Sequence, residues 1–275
     1  MLRWMKNIDI FEDTIKQCKT NPKLILAIMR SIRGQRVYLE NDNTIASYQP
    51  TQNSEKARVI ISEKRSFEAA MPYAKAGKRV CVLNFAAWTT PGGGVESGCS
   101  AQEESLCRCS TLYPCISSEE TFKSFYLPHR EMKKQAESYL HNDDIIYTPD
   151  VVVFKTDTDF PKSLPEDEWY KVDIITCAAP RLYSDYNEEK LEEVISSRIE
   201  KVFKAPLVYN SKNYDVLILG AFGCGAFKNP PELVAKIFNN HLKSFCYNFE
   251  VIEFPIFHKS EEDKNFSAFK KYISG

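Results

Sequence analysis

Short apolar segments alternate with helical segments along most of the chain, and this alternation strongly limits the possible folds. A strand at 57–61, a helix that Ser66 caps and a fully apolar strand at 80–86 form the first unit. Similar strands recur at about 144–154, 172–178, 214–219 and 251–257, with helical stretches at about 188–205 and 231–245. A strand–helix–strand unit predicts parallel strands joined by a right-handed crossover. The pattern therefore predicts an α/β domain of three layers, α/β/α, with helices on both faces of one sheet.

The N-terminal part of the chain follows a different pattern. Residues 8–32 predict two short helices that separate at Asn21-Pro22, because apolar residues recur three and four positions apart. A polar stretch follows and leads to the strand at 57–61. We therefore expect a helical extension over residues 1–56 that packs on the core, and the α/β domain over residues 57–275.

The composition narrows the functional classes. The 36 basic and 37 acidic side chains leave a formal charge of -1, which argues against a broad nucleic-acid-binding face but leaves room for a local basic cleft. The nine cysteines are an odd number, and neither an apolar signal segment nor a run of about 20 apolar residues occurs. These features predict an intracellular, cytoplasmic protein with reduced thiols and no membrane partner. No paired Cys-x-x-Cys unit occurs, so we predict no metal site and no cofactor.

Two loops that follow predicted strands are rich in glycine. The first glycine loop, residues 84–104, contains Gly92-Gly93-Gly94 and Gly98, and the second glycine loop, residues 220–231, contains Gly220, Gly223 and Gly225. In open α/β sheets, ligands bind beyond the carboxyl ends of the strands. Consecutive bare N–H groups in glycine-rich turns can hold an anion. We therefore predict that the two loops hold a diphosphate between them; the alternative is that the glycines only form tight turns.

Neither loop matches the common nucleotide-binding motifs. The dinucleotide fingerprint requires a small residue three positions after Gly225, where this chain has Lys228. No glycine-lysine-serine or glycine-lysine-threonine triplet occurs in either loop. Dinucleotide-dependent dehydrogenases and phosphate-loop NTPases are therefore disfavoured.

An acidic pair, Glu103-Glu104, follows Gln102 at the start of a helix predicted to run to about Tyr113. Acidic residues are common in a first helical turn, where their negative charge interacts favourably with the helix dipole. Here, however, the pair directly follows the glycines, so a bound phosphate ester would lie within its reach. Consecutive helical positions point about 100° apart, so the two carboxylates are poorly placed to flank one glycosidic bond. One proton donor or base and one substrate-orienting carboxylate fit this geometry better.

These residues resemble a known signature. Pro91-Gly92-Gly93-Gly94, then seven residues, then Gln102-Glu103-Glu104, is similar to the active-site motif of poly(ADP-ribose) glycohydrolases. The likeness covers roughly residues 57–257. Within the family, the sequence around the motif is most similar to the short bacterial-type branch, whose fold is a macrodomain with a mixed sheet. Further matching segments are 67–70, 82–86, 106–108 and 220–231. The resemblance implies that residues 57–275 form a macrodomain-like catalytic domain.

The resemblance also implies an activity and a role for each residue. The activity is hydrolysis of the ribose–ribose O-glycosidic bond, with Glu104 as general acid/base and Glu103 holding the adjoining ribose hydroxyls. Gln102 and Asn84 would place the terminal ribose, and Phe227 would pack on it. The remaining substrate contacts implied are Gly92, Gly93, Gly94 and Val95 in the first glycine loop and Gly223, Cys224, Gly225 and Ala226 in the second.

Two other functions share these features. One is a hydrolase that removes a single ADP-ribose from protein or nucleic acid, and the other is a non-catalytic ADP-ribose-binding module. The expected partners are ADP-ribose or poly(ADP-ribose) on modified proteins, with ADP-ribosylated nucleic acid as a further candidate, and the expected state is a monomer. The pKa of Glu104 is subject to two opposing requirements. A helix N-terminus lowers the pKa of a carboxyl, whereas a general acid at neutral pH needs a raised pKa.

Overall fold

A computed structural model describes residues 3–40, 42–49, 53–132, 140, 142–183, 186–210, 214–258, 260 and 263–273. Its strands are β1 (Arg36–Tyr38), β2 (Arg58–Ser62), β3 (Val80–Phe85), β4 (Ile145–Val153), β5 (Tyr170–Cys177), β6 (Tyr214–Ile218) and β7 (Phe249–Pro255). Within the described residues they form one seven-stranded sheet in the order β1-β4-β5-β3-β6-β7-β2. Strands β5, β3, β6, β7 and β2 are parallel, whereas β4 is antiparallel to β5 and β1 is antiparallel to β4. The predicted mixed α/β sheet is confirmed.

Helices cover both faces of the sheet. They are α1 (Arg3–Thr20), α2 (Pro22–Gly34), α3 (Asn43–Ala46), α4 (Ser66–Lys75), α5 (Gln102–Cys109), α6 (Leu112–Ile116), α7 (Glu119–Thr121), α8 (Leu127–Met132), α9 (Glu188–Asn210), α10 (Pro231–Phe245) and α11 (Lys264–Tyr272). A π-helical turn, Phe122–Tyr126, joins α7 to α8, and short 3-10 turns cover Val95–Ser97 and Glu166–Glu168. Among the described helices, none is long and apolar enough to cross a membrane.

The alternation of side chains along β3 separates the two halves of the core. Cys81 and Leu83 pack with residues of α9, α10 and α11 on one face. Val80 and Val82 pack with residues of α4 and α5 on the other face. Both faces of the central strand are buried, as expected for a parallel sheet covered by helices.

The N-terminal residues contribute more than the predicted helices. The break between the two helices lies at Asn21, whose side chain caps α2 by accepting from the Lys23 N–H at 2.9 Å. Residues 36–38 form β1, which the sequence pattern did not reveal and which pairs with β4 at the edge of the sheet. The boundary between residues 56 and 57 stays a prediction, and the nearby residues 50–52 lie outside the described part of the chain.

Two local predictions were wrong. The helix from Gln102 ends at Cys109 rather than near Tyr113, because Ser110 is extended and pairs with Val153 before α6 begins. Ser66 does not cap α4, because its hydroxyl accepts a hydrogen bond from Gln102; Glu68 instead accepts from the Arg65 N–H at 3.1 Å.

Candidate active site

A cleft of about 330 Å³ opens where the parallel strands end. Its walls come from the first turn of α5, from the loop after β6, from the residues after β7 and from the start of α4. The residues predicted from sequence that line it are Gln102, Glu103, Glu104, Gly223, Gly225, Ala226 and Phe227. Those predicted that do not line it are Asn84, Gly92, Gly93, Gly94, Val95 and Cys224.

Glu104 lines the cleft at the start of α5, where its side chain is held on one side only. The residue is 7% exposed, and its Oε1 accepts a hydrogen bond from the Gly94 N–H at 2.9 Å. Its Oε2 has no hydrogen-bond partner among the described residues. One oxygen therefore fixes the carboxylate, whereas the other is buried and unpaired among the described residues.

Glu103 is buried more deeply and has more partners. It is 2% exposed, its Oε2 accepts from the Ala87 N–H at 2.7 Å, and the Gly92 N–H also hydrogen-bonds to its carboxylate. Burial raises the pKa of Glu103 to about 8; these amides lower it, and the charge of Glu104 raises it further. At this position burial outweighs the effect of the helix N-terminus.

The side chains of Asn84 and Gln102 form hydrogen bonds between the start of α5 and the end of β3. Asn84 is fully buried, and its Nδ2 donates to Thr176 Oγ1 at 3.2 Å and to Glu103 Oε1 at 3.4 Å. The amide of Gln102 accepts from the Phe85 N–H at 2.9 Å and donates to the Leu83 carbonyl at 2.8 Å. Both side chains therefore connect α5 to the end of β3.

The glycine triplet of the first glycine loop lies against the two carboxylates rather than on the wall of the cleft. Gly92 and Gly93 have φ angles of 68° and 58°, and the Gly93 N–H donates to the Thr90 carbonyl at 3.0 Å. A Cβ on Gly93 would lie 2.6 Å from Glu104 Oε1 and 3.0 Å from Glu103 Oε2. The triplet therefore allows the carboxylates to approach the backbone closely. Val95, which follows it, is fully buried in the core.

The second glycine loop presents its backbone to the cleft. Gly225, Ala226 and Phe227 line the cleft, and no hydrogen bond among the described residues uses their N–H groups. The loop is anchored by Asn229, whose Nδ2 donates to the carbonyls of Pro180 at 2.8 Å and Gly223 at 3.0 Å. This arrangement suits an anionic ligand, because the loop is fixed and the N–H groups of three residues that line the cleft have no partner among the described residues.

Cys224 lies in this loop but shows no sign of reactivity. Its thiol donates to the Phe222 carbonyl at 3.5 Å, and burial raises its pKa to about 12. A reactive cysteine has a lowered pKa, so Cys224 is a packing residue of the loop.

The model of the family described as the catalytic domain of microbial-type PARG, poly(ADP-ribose) glycohydrolase, matches residues 8–156. This range is more than half of the chain. The chain belongs to this family.

Solved structures of bacterial PARG proteins match the chain over nearly its whole length. The PARG from Thermomonospora curvata is 27% identical, with a TM-score of 0.86, and the match covers 97% of this chain and 98% of that one. The same protein bound to the inhibitor ADP-HPD is 28% identical, with a TM-score of 0.83 and coverage of 96% and 98%. The PARG from Deinococcus radiodurans in complex with ADP-ribose is 26% identical, with a TM-score of 0.78 and coverage of 90% and 96%. No curated relative matches the chain.

The cleft of this PARG family member also contains residues that the sequence did not single out. Arg65 precedes α4 and Phe257 follows β7, and the guanidinium lies 3.9 Å from the centre of the Phe257 ring. Phe257 is 45% exposed. Arg65 also forms an ion pair with Asp159. The contact between Arg65 and Phe257 could not be predicted from the sequence, because the two residues are brought together only by the parallel pairing of β2 and β7.

A third carboxylate, Asp157, lines the PARG cleft beside α5. Its Oδ1 accepts from the Ser105 hydroxyl at 2.7 Å, and its Oδ2 accepts from the Phe67 N–H at 3.0 Å. Burial raises the pKa of Asp157. Asp157 thus joins the first turns of α4 and α5, and its position shortly after a predicted strand was the only available signal in the sequence.

Proposed function

We propose that the chain is a poly(ADP-ribose) glycohydrolase that hydrolyses the ribose–ribose O-glycosidic bond and releases ADP-ribose. The observation that carries this proposal is the position of Glu104, a carboxylate fixed through one oxygen in a cleft that is also lined by residues whose backbone N–H groups have no partner among the described residues. The relatives support it, since one is a PARG bound to ADP-ribose and another is bound to ADP-HPD.

Glu104 acts as general acid/base in this proposal. Its carboxyl donates a proton to the glycosidic oxygen, the bond to the anomeric carbon breaks, and an oxocarbenium-like cation develops on the terminal ribose. The resulting carboxylate then takes a proton from a water molecule, which attacks the anomeric carbon and yields ADP-ribose. Only one oxygen of Glu104 is held by the protein, so the other can perform both proton transfers.

Glu103 binds and orients the ribose hydroxyls. It lies beside Glu104 in the cleft wall and is fixed by the Ala87 and Gly92 amides, so its orientation is set before substrate arrives. Asn84 supports it from the sheet. When ionised, its charge also favours the cationic transition state.

The diphosphate binds the second glycine loop. The N–H groups of Gly225, Ala226 and Phe227 supply hydrogen-bond donors, and the 15-residue helix α10 begins just after this loop, so its positive end favours the same anion. Phe227 packs on the terminal ribose. A diphosphate contact of Gly92, Gly93 and Gly94 stays a prediction, as do substrate contacts of Val95 and Cys224, because none of these residues lines the cleft.

The adenine base stacks on Phe257. This ring is the exposed aromatic surface on the β7 side of the cleft, and Arg65 lies over it. A base and a guanidinium both pack favourably on an aromatic face.

The polymer attached to modified proteins is the proposed partner, and the monomeric state and the intracellular, cytoplasmic location stay predictions from the sequence.

The test compares two isosteric variants in the same loop–helix region. Glu104→Gln should lower the release of ADP-ribose from poly(ADP-ribose) by at least about 10²-fold, the scale of acid–base catalysis, while the Kd for ADP-ribose changes only a few-fold. Glu96→Gln is the matched control, because Glu96 bonds to Tyr113 outside the cleft. Its rate should equal that of the wild type.

Three results would change this proposal. A wild-type protein that binds ADP-ribose but releases none from the polymer would be a binding module. Release of ADP-ribose from singly modified protein or nucleic acid, with no turnover of the polymer, would identify a mono-ADP-ribosyl hydrolase. Equal rates for Glu104→Gln and the wild type would remove Glu104 from the mechanism.

A further inference from the structure

A buried histidine contacts the beginning of the first glycine loop. His129 of α8 is 1% exposed, and its Nδ1 lies 3.1 Å from the carbonyl oxygen of Trp88. The next residue of α8, Arg130, donates from its Nε to the carbonyl of Thr89 at 2.8 Å. Two neighbouring side chains of one short helix therefore hold two neighbouring carbonyls of the loop.

These carbonyls belong to the segment that supplies hydrogen bonds to Glu103. The Ala87 N–H, one residue before Trp88, donates to Glu103 Oε2 at 2.7 Å, and the Gly92 N–H also bonds to this carboxylate. The contact with α8 lies between these two amides in the chain. A displacement of residues 88 and 89 would therefore move the donors that fix Glu103.

The other ring nitrogen of His129 faces a buried carboxylate. Its Nε2 lies 3.1 Å from Asp144 Oδ2 and also contacts Asn142 Oδ1. The orientation of the Asn142 amide follows from its Nδ2, which donates to Asp144 Oδ2 at 2.9 Å. Asp144 is 6% exposed, and its Oδ1 accepts from the Glu40 N–H at 2.6 Å. The carboxylate of Asp144 and the amide oxygen of Asn142 thus both present acceptors to Nε2.

The protonation state of His129 follows from these partners. A neutral imidazole has one N–H donor and one nitrogen that can only accept. The ring of His129 meets a backbone carbonyl at Nδ1 and a carboxylate at Nε2, and both are acceptors. Only the imidazolium, with a proton on each nitrogen, can donate to both.

Asp144 provides the counter-charge for this imidazolium. Phe125, in the π-helical turn before α8, packs on the ring with 4.4 Å between the ring centroids and carries no charge. The guanidinium of Arg130 is directed to the loop, and the carboxylate of Asp143 is paired with Arg198 at 2.9 Å. A buried charge needs a close partner of opposite sign, and Asp144 meets that need.

We propose that His129, as an imidazolium, is a positioning residue for the glycohydrolase reaction: it ties the beginning of the first glycine loop to Asp144 and so keeps the donors of Glu103 in place. The proposal rests on the proposed function. When the ring loses one proton, the remaining N–H stays with the carboxylate, because a hydrogen bond to an ionised acceptor is the stronger one. The Trp88 carbonyl then loses this donor. His129 does not line the cleft and acts only through the loop.

The experiment measures kcat for poly(ADP-ribose) against pH for the wild type and His129→Gln. The glutamine amide reaches the position of Nε2 and can donate to Asp144, but it leaves the Trp88 carbonyl without the donor. Where the histidine is an imidazolium, the wild type should be about tenfold faster than the variant. At alkaline pH, where the wild-type ring has lost a proton, this ratio should fall towards one. Glu103 titrates in both proteins, so its effect cancels in the ratio.

Two further variants control for structural effects. In His129→Asn the amide occupies the position of Nδ1 and can donate to Trp88, so kcat should stay within a few-fold of the wild type at neutral pH. His241→Gln replaces a half-buried histidine outside the cleft, whose Nε2 lies 2.9 Å from the Ser196 hydroxyl. A hydroxyl can donate or accept, so a neutral ring satisfies this contact. The rate of His241→Gln should equal that of the wild type at every pH.

NMR of the wild type with isotope-labelled histidine tests the protonation state without any measurement of activity. The His129 signals are those that are missing in His129→Gln or His129→Asn. At pH 7 the ring should carry a proton on each nitrogen.

The outcomes separate this proposal from the proposed function. A ratio of wild-type to His129→Gln rates that is the same at every pH, or a His129 ring with one proton at pH 7, would overturn the proposal while the glycohydrolase activity stands. A wild type that releases no ADP-ribose at any pH would overturn the proposed function instead. The same ratio is then measured with the Kd for ADP-ribose, and a ratio that does not change with pH would overturn the proposal on that measurement as well.

Discussion

In the first glycine loop the amides of Gly92 and Gly94 donate to Glu103 and Glu104. In the second glycine loop, Gly225, Ala226 and Phe227 line the cleft, and their amides have no partner among the described residues. The two loops have similar compositions and both follow parallel strands. They differ in the anion that their amides bind: in the first loop it is a carboxylate of the protein itself, whereas in the second loop it would come from a ligand. A glycine-rich loop after a parallel strand can therefore bind a carboxylate of the chain itself as well as a ligand.

The surroundings of the positive-φ glycines differ in the same way. At Gly93, the atoms that a Cβ would meet first are the oxygens of the two carboxylates. At Gly223, a Cβ would lie 2.4 Å from Ala179 Cβ and 2.5 Å from Asn229 Nδ2, which are parts of the scaffold of the second loop. The same substitution should therefore disturb catalysis at one position and binding at the other.

Gly93→Ala is expected to have the largest effect. The new methyl group would displace the Glu104 carboxylate, and a misplacement of about 1 Å costs on the order of 10²-fold in rate. We expect kcat for poly(ADP-ribose) to fall by about that factor, while the Kd for ADP-ribose changes a few-fold. Steady-state kinetics and calorimetric titration measure the two quantities.

Gly77→Ala provides the control for this substitution. Gly77 also has a positive φ, 78°, but a Cβ there would meet no atom within 4 Å, and the residue lies outside the cleft. It therefore reproduces the backbone strain without the contact. If both variants lose the same activity, strain rather than displacement of Glu104 is responsible, and the distinction between the loops fails.

Gly223→Ala is expected to have a smaller effect, and on binding. The methyl group would push Ala179 and Asn229 away and move the free N–H groups of the loop out of position. We expect the Kd for ADP-ribose to rise about tenfold, which corresponds to about 1.4 kcal/mol, with kcat within a few-fold of the wild type. A fall in kcat without a change in Kd would show that the second glycine loop acts in the chemical step.

The sequence predicted the sheet and the site to different degrees. The buried parallel strands were predicted because each is rich in apolar residues, as β3 illustrates. Strand β1 was missed because it has three residues and depends on its pairing with β4. The helix after Gln102 was predicted too long because only tertiary pairing of Ser110 with Val153 ends it at Cys109.

Prediction of the candidate site from the sequence was limited in the same way, because contacts between distant parts of the chain were missed. The spacing of the glycines and the acidic pair in the first loop placed Glu103 and Glu104 beside a cleft, because all of these residues lie within one strand–loop–helix unit. The sequence could not show that the loop amides bind those same acids. It also could not bring Arg65 to Phe257, or Asp157 to Ser105, because these contacts join distant parts of the chain.

The smallest expected effect concerns stability and tests how strongly the first-loop amides act on Glu103. Burial holds its pKa at about 8, above the ordinary 4.5, so between these pH values the folded state keeps a proton that the unfolded state has lost. Stability should therefore decrease as pH rises through this window, whereas Glu103→Gln lacks this dependence. Between pH 6.5 and 7.5, thermal unfolding should show the wild type losing about 1 kcal/mol more than the variant, or about 2–4 °C. Asp157 titrates in both proteins and cancels in the comparison. Equal losses would mean that the loop amides fully offset burial, and that Glu103 is ionised in the folded protein throughout this range.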